Sequence, residues 1–377
     1  KGGLVGGPFG SSLVGNDYRS SGVPVIRGTN MGDTLTRGPY VFVDANKAEE
    51  LGRNNAVPGD LVFTQRGTLG QVCIAGSEYP TYVISQSQMR LRVDTARFEP
   101  RFVLYACKTA GFRQQIDDSA IATGVPHINL GILGRLKIPE LIRAEQAAIA
   151  EVLGALDDRI AANRALITAS ERLASATFAH FVRPESRPLS ELADFVNGRN
   201  FTKDATGTGR VVIRIAELNS GLSGSTVWNE VDAVDANIAR AGDLLFAWSG
   251  SLTVHRWHRA EGLVNQHIFK VIPKAGFPIW LVHQLLLERL AAFRAIAADK
   301  ATTMGHIQRH HLDVEVRVPT DAEIVARSPL MQGLWDRSLA ADVESEQLAQ
   351  LRDTLLPELM SGRLRVREAE RAVEEVL

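Results

Sequence analysis

Through residues 1–138, short β-branched and aromatic runs alternate with Gly, Asn and Asp: Val23-Pro24-Val25-Ile26, Tyr40-Val41-Phe42-Val43, Leu61-Val62-Phe63-Thr64 and Met89-Arg90-Leu91-Arg92-Val93. Apolar runs of this length bounded by turn formers predict strands. Pro58-Gly59-Asp60 predicts a turn, Pro presetting φ and Gly accepting a positive one. A single helix is predicted over about Arg101–Asp117. Residues 182–318 repeat the plan, with strands near Val211–Ile215, Leu244–Trp248 and Ile268–Ile272 and a helix over about Pro278–Asp299. The stretches 139–181 and 319–362 differ. In the first, Ile149, Leu153, Leu156, Ile160, Asn163 and Ile167 follow the 4-3 alternation of a coiled-coil seam. In the second, Leu334, Ala341, Leu348 and Leu355 stand seven apart with Leu351 between, and Gly362 supplies a stop. Forty helical residues rise roughly 60 Å, and a stripe on one side of so long a helix needs a partner. The nearest candidate is the other helix, packed antiparallel; the alternative is two amphipathic helices, each lying on its own module. Asn163 reads as a register pin in the seam or as a residue at its edge.

The two strand-rich stretches are copies. Val57-Pro58-Gly59-Asp60-Leu61-Val62-Phe63, then Gly67 and Leu69, is answered 183 residues later by Arg240-Ala241-Gly242-Asp243-Leu244-Leu245-Phe246, then Gly250 and Leu252. In order, Val25-Ile26-Arg27 answers Val212-Ile213-Arg214, Ile84-Ser85-Gln86 answers Val264-Asn265-Gln266, and Thr123-Gly124-Val125-Pro126-His127-Ile128 answers Thr303-Met304-Gly305-His306-Ile307. The period far exceeds the roughly 20–50 residues of a solenoid repeat and suits a domain plus a long helix. The pattern gives an α+β chain: two tandem mixed α/β modules at 1–138 and 182–318, long helices at 139–181 and 319–362, and a tail at 363–377. The same module written twice with diverged loops is explained more easily as reading two things than as catalysing one.

Composition narrows this. Hydrophobic residues make up 45% of 377, enough for two or three ordinary cores. The most apolar stretch, Ile279–Ala298, is interrupted by His283, Glu288, Arg289 and Arg294, which argues against a membrane span. The first residue is Lys1 with no signal pattern after it, as in a trimmed or partial sequence. Cys73 and Cys107 show no CxxC pairing and fit a reduced, cytoplasmic protein. The net charge of −1 conceals a partition: the two modules carry +4 and +2, the two helical stretches −2 and −5. Ordinary solvated surface accounts for a bias this small, yet its direction suits weakly basic modules joined by acidic helices.

No GxxxxGK[ST] loop, HExxH pair or GxSxG elbow occurs. His306, His310 and His311 are close in sequence and His255 and His258 form an HxxH, but neither set has Cys or carboxylate companions at metal-ligand spacing. What recurs is polar loops at matched places. In the first module these carry Gln65, Arg66 and Thr68, then Gln86 and Gln88 with Arg90, then Thr123 and His127. In the second they carry Ser249 and Ser251 with His255, then Gln266 and His267 with Lys270, then Thr303, His306 and Gln308. Arg can contact guanine bidentately and Gln or Asn adenine, while Ser, Thr and backbone N–H groups suit phosphate oxygens. Each such residue is equally at home as a solvated loop residue; recurrence at matched positions is what favours double-stranded DNA as the partner.

The order of elements resembles the specificity subunits of type I restriction–modification systems. The residues carrying the resemblance are Pro8-Phe9-Gly10-Ser11-Ser12-Leu13, the Gly-Asp-Leu turns at 59–61 and 242–244, the Thr/Gly/His-Ile loops at 123–128 and 302–307, Ile138-Pro139 through Glu145-Gln146-Ala147-Ala148-Ile149, and Leu356-Pro357-Glu358-Leu359-Met360-Ser361-Gly362-Arg363-Leu364. It spans nearly the whole chain. Two departures stand out: the first module begins without the Pro188-Leu189-Ser190-Glu191-Leu192-Ala193 that opens the second, so an N-terminal strand is expected to be missing, and Ala322-Glu323-Ile324 replaces the Glu-Gln helix opening in the second copy. The resemblance implies a subunit without catalysis or cofactor of its own. Each domain reads one half of a split, asymmetric DNA target, with two antiparallel helices as a ruler. Modification subunits bring S-adenosylmethionine, and restriction subunits bring ATP-driven translocation and Mg-dependent cleavage. The lack of the Asn/Asp-Pro-Pro-aromatic motif of amino-methyltransferases agrees with that division. The helix seam, Ile149, Leu153, Leu156, Ile160 and Asn163 with Leu348, Leu351 and Leu355, would hold the helices together and present their acidic faces to partners. Two rivals remain: a DNA-cleaving enzyme using Asp60 and Asp243 as metal ligands, against which both read as turn aspartates bonding their own backbone, and a scaffold that binds only proteins.

Overall fold

The computed structural model describes residues 3–121, 125–299 and 305–376. Two compact units divide the chain: Lys1–Arg159 with Leu348–Leu377, and Ile160–Gln347.

Unit 1 holds two sheets. The first is antiparallel, in the order Leu4–Gly6, Gln88–Leu91, Leu61–Thr64, Val72–Ile74. Leu61, Val62, Phe63 and Thr64 are all buried, which is why this strand reads as a continuous apolar run rather than an alternation. The second sheet has five strands, with Val23–Ile26 parallel to Tyr82–Ile84 and Ile26 opposite Ile84. Strand Leu4–Gly6 stands beside Gln88–Leu91 as Ala193–Asn197 stands beside Ile268–Pro273 in the second copy, so the expected missing strand is present. The helix expected over 101–117 is instead two, Pro100–Lys108 and Ala110–Ser119. Thr109 takes an extended conformation between them, and its hydroxyl accepts from the Phe112 N–H at 3.3 Å, capping the second helix.

The first long helix spans Arg143–Ala179 and the second Asp321–Met360. Gly362 ends the latter at a φ of 71°, a left-handed conformation that costs glycine little. A further helix, Val366–Glu374, occupies the expected tail. Ile149, Leu153, Leu156, Ile160, Asn163, Leu348 and Leu355 are buried and Leu351 is half-buried. Gln146, in the Glu-Gln helix opening, is buried with its amide fully used: it accepts from the Glu99 N–H and donates to the Arg97 and Leu141 carbonyls. In unit 1 Asp157 and Arg352 join the two helices at 2.6 Å.

Unit 2 repeats the architecture. Its antiparallel sheet runs Ala193–Asn197, Ile268–Pro273, Leu244–Ala247, Thr253–Arg256, and its second sheet sets Arg210–Ile213 parallel to Gly262–Val264 with Ile213 opposite Val264. That register matches the Ile26–Ile84 pairing of unit 1. A two-stranded ribbon, Glu185–Pro188 against Glu315–Val318, closes the segment's two ends on each other. Within unit 2 the helices are antiparallel: Asn163 donates to the Glu344 carboxylate at 3.0 Å, while Ala174 and Phe178 share a core with Met331 and Trp335. The buried seam asparagine thus has a half-buried carboxylate as its partner on the facing helix.

His283 is buried in the helix Ile279–Asp299 with its ring edge-on to Trp335 at 5.1 Å. Burial, with Arg256 and His255 nearby, pushes it down to about 3. Burial also lowers His255 and His258. A folded pKa below the unfolded value of about 6.5 means these rings stabilise unit 2 fully above that pH. As pH falls toward 3 the unfolded chain gains protons that the folded one refuses, and stability drops. Urea midpoints between pH 7.5 and 5 should therefore fall, and His283→Gln should flatten the fall. Equal slopes in the two proteins would refute the assignment.

Candidate nucleic-acid interface

The three polar loops of unit 1 converge through their backbones. The Gln65 N–H donates to the Ser87 carbonyl at 2.7 Å, its carbonyl accepts from the Ile128 N–H at 3.1 Å, and Arg66 bridges His127. Unit 2 builds the same frame. The Trp248 N–H donates to the His267 carbonyl at 3.2 Å, its carbonyl accepts from the Ile307 N–H at 3.0 Å, and Ser249 bridges His306. Gly67 and Gly250 sit at equivalent places with φ of 94° and 64°, so both loops turn where a side chain would strain the backbone. The frame is common and the side chains on it are not.

On the first frame Arg66, Thr68 and Gln86 are exposed, and Gln65 and His127 half-buried. Gln86 spends its amide on the Gly10 and Leu13 carbonyls at 2.8 and 2.9 Å, so it holds the 10–13 segment against the cluster. His127 Nδ1 lies 3.3 Å from the Val125 carbonyl. Gln88 and Arg90 are buried in their strand, Gln88 bonded to the Ser85 hydroxyl. On the second frame Ser251 and Gln308 are exposed, Gln266, His267 and His306 half-buried, and Ser249 buried. Gln266 Nε2 stands 3.3 Å from His267 Nε2. Lys270 is buried, donating to the Ile238 carbonyl at 2.7 Å and pairing Asp243 at 2.8 Å. His255 lies on Thr253–Arg256, on the strand rather than in the loop cluster. Thr123 and Thr303 lie outside the described residues.

Sequence reasoning passed over Trp248 as a surface feature. Its ring lies 5.7, 5.8 and 6.2 Å from His267, Phe269 and His306, and its Nε1 donates to Asn197 at 3.0 Å. With Gln308 and Arg309 it lines a cavity of about 370 Å³. Unit 1 has Gln65 at the matching place, so the copies present an aromatic and an amide on one scaffold. Asp60 and Asp243 behave as turn residues: their carboxylates accept from the Val57 and Arg240 N–H groups at 2.8 and 2.7 Å. Among the described residues no group of three or more His, Cys, Asp or Glu is placed to hold a metal, and no helix is long and apolar enough to cross a membrane.

Residues 15–171 match the family model of the type I restriction modification DNA specificity domain. Among solved structures, the S subunit of a type I restriction-modification system from M. genitalium is similar over 94% of this chain and 92% of its own, at 17% identity and a TM-score of 0.58. That likeness is one of fold. The HsdS subunit from Thermoanaerobacter tengcongensis covers 92% of this chain and 94% of its own at 16% identity, with a TM-score of 0.36. No curated protein sequence matches the chain.

Proposed function

We propose that this chain, of which residues 15–171 match the type I restriction modification DNA specificity domain, is a DNA-recognition subunit whose two loop clusters read the two halves of a split, asymmetric double-stranded sequence. The observation that carries this is the repeated frame. Backbone hydrogen bonds at 65, 87 and 128 recur at 248, 267 and 307, while Gln65-Arg66-Gly67-Thr68 becomes Trp248-Ser249-Gly250-Ser251. A constant scaffold with changed side chains suits two readers of different base sequence, because specificity comes from groups aimed at base edges and position from the backbone that holds them. Arg66 and Thr68 are the exposed polar groups at the tip of one frame, and Ser251 and Gln308 at the other.

The chain supplies recognition, not catalysis. In this reading modification subunits dock on the long helices and bring S-adenosylmethionine. Restriction subunits, where present, bring ATP and Mg for translocation and cleavage, and the assembly works in the cytoplasm. The helices' net charges of −2 and −5 support a polar docking face.

Methylation mapping in cells that carry the partner subunits tests the proposal. Replacing residues 182–318 with the matching segment of a relative should change one half-site and leave the other and its register intact. The ribbon Glu185–Pro188 with Glu315–Val318 brings the graft's ends together, and a donor that keeps the aromatic at Trp280 preserves the core shared with Phe178 and Phe181. A change in both half-sites, or in neither, would sink the assignment of one target half to each cluster.

A further inference from the structure

At the end of the first antiparallel sheet remote from the loop cluster, the two copies treat one buried cation differently. Arg90 and Lys270 occupy matching positions: Arg90 lies opposite Val62 and Val5, and Lys270 opposite Leu245 and Val196. Both are buried, at 5% and 6% exposure. Lys270 is satisfied by the turn carboxylate of Asp243 and the Ile238 carbonyl. In the first copy the equivalent Asp60 is already engaged. Arg92 holds it through Nε and Nη2 at 2.8 and 2.7 Å, and the residue matching Arg92 in the second copy is Ile272, which makes no such claim on Asp243. Arg90 is left with its Nε and Nη1 buried and without a hydrogen-bond partner.

A buried guanidinium without acceptors is strongly unfavourable. Here it lines a cavity of about 350 Å³ together with Arg53, Arg92, Asn55 and Thr81, and no described lining residue is acidic. Asp60 lies within electrostatic range of Arg90, but its oxygens are taken by Arg92 and the Val57 N–H. The Arg92 fork is committed to Asp60, which leaves Arg90 and Arg53 beside a hydroxyl and an amide around a space larger than a tetrahedral oxyanion, and guanidinium groups suit phosphate.

We propose that this cavity is an oxyanion site of the phosphate class, with Arg90 as its buried anchor and Arg53 as its exposed arm. It stands apart from base reading by the loops and does not depend on it. The phosphate is either a free ion or a phosphate of a nucleic-acid backbone, the chemistry being the same. Burial disfavours the charged guanidinium of Arg90, a penalty that a bound anion relieves.

The test follows thermal unfolding of the full chain with inorganic phosphate against chloride at equal ionic strength, with calorimetric titration of phosphate alongside. Phosphate should raise the midpoint saturably. Arg90→Met should abolish the response, and Arg53→Gln, at an exposed position, should weaken phosphate binding about fivefold or more while leaving the fold intact. If Arg90→Met does not fold, Arg53→Gln carries the test alone. A phosphate effect no larger than that of chloride, or an Arg53→Gln protein that binds phosphate like the parent, overturns the site. In a third arm, duplex DNA is added to the phosphate-loaded protein. Displacement assigns the site to a backbone phosphate, and simultaneous binding assigns it to a free ion. Both results support the oxyanion chemistry and leave the half-site reading to its own test.

Discussion

Asp157→Ala is expected to remove about 3 kcal/mol or more from the stability of unit 1, in the range found when one member of a buried ion pair is deleted. Asp157 is 6% exposed. It accepts from the Tyr105 hydroxyl at 2.7 Å, the Thr34 hydroxyl at 3.0 Å and Arg352 at 2.6 Å. One carboxylate thus ties both long helices to the helix Pro100–Lys108 and to the loop at Thr34. Its loss strands a buried phenol and part of a half-buried guanidinium; Arg352 keeps Asp353, which limits the damage. Burial alone would raise the Asp157 carboxyl, but Arg352, the Tyr105 hydroxyl and Lys108 outweigh it and hold it below the ordinary range. The sign follows: its contribution is whole above the unfolded value of about 3.9 and disappears as pH falls through the lower folded value. Hydrogen exchange on the full chain should show faster opening of 61–64 and 100–108 in the variant. Asp157→Asn should cost less and lose the pH dependence below about 4. Unchanged exchange in both segments would show that the carboxylate does not hold the unit together.

Trp280→Ala should cost unit 2 about 3–5 kcal/mol, the usual range for deleting a large buried aromatic. The side chain is 1% exposed. Its ring meets Phe178 and Phe181 at 6.5 and 6.0 Å, both edge-on, and its Nε1 donates to the Ser328 hydroxyl at 3.3 Å. Phe178 belongs to the first long helix, Trp280 to Ile279–Asp299 and Ser328 to the second long helix, so one indole joins three helices. Edge-to-face rings add to area burial, and the cavity left behind cannot close around so many fixed backbones. Unlike Asp157→Ala, this loss should not vary with pH between 3 and 5. A denaturant midpoint within about 0.5 kcal/mol of the parent, a surface-substitution effect, would contradict the packing.

Much of this architecture is written locally. The strand runs at 61–64 and 244–247, the turn aspartates at 60 and 243 and the helical stripes through Ile149–Ile160 all follow from spacing and turn chemistry. Repetition then locates the loop clusters, because two copies with one frame must share its hydrogen bonds. Other features depend on three-dimensional neighbours that spacing does not encode. Thr109 breaks a helix because its hydroxyl caps the next one, a choice that competes evenly with helix continuation in sequence. Gln88, Arg90 and Lys270 look like surface polar residues until their strand is seen covered on both faces. Asp157 is one charge among many on an acidic helix until Tyr105 and Arg352 arrive beside it. Which of Arg90 and Arg92 captures Asp60 is decided by reach, not by order along the chain.

Unit 2 is one continuous stretch, Ile160–Gln347, whereas unit 1 is assembled from Lys1–Arg159 and Leu348–Leu377. For genetic exchange the two are unequal. A single recombination tract can carry unit 2 from one gene to another whole. Unit 1 travels intact only when two separate tracts move together. A crossover that imports 1–159 alone delivers a foreign residue at 157 to a resident Arg352, and the hybrid is viable when the donor also supplies a carboxylate there. If each unit reads one half-site as proposed, new specificities should arise more readily through unit 2 than through unit 1, and natural hybrids of unit 1 should retain an acid facing Arg352.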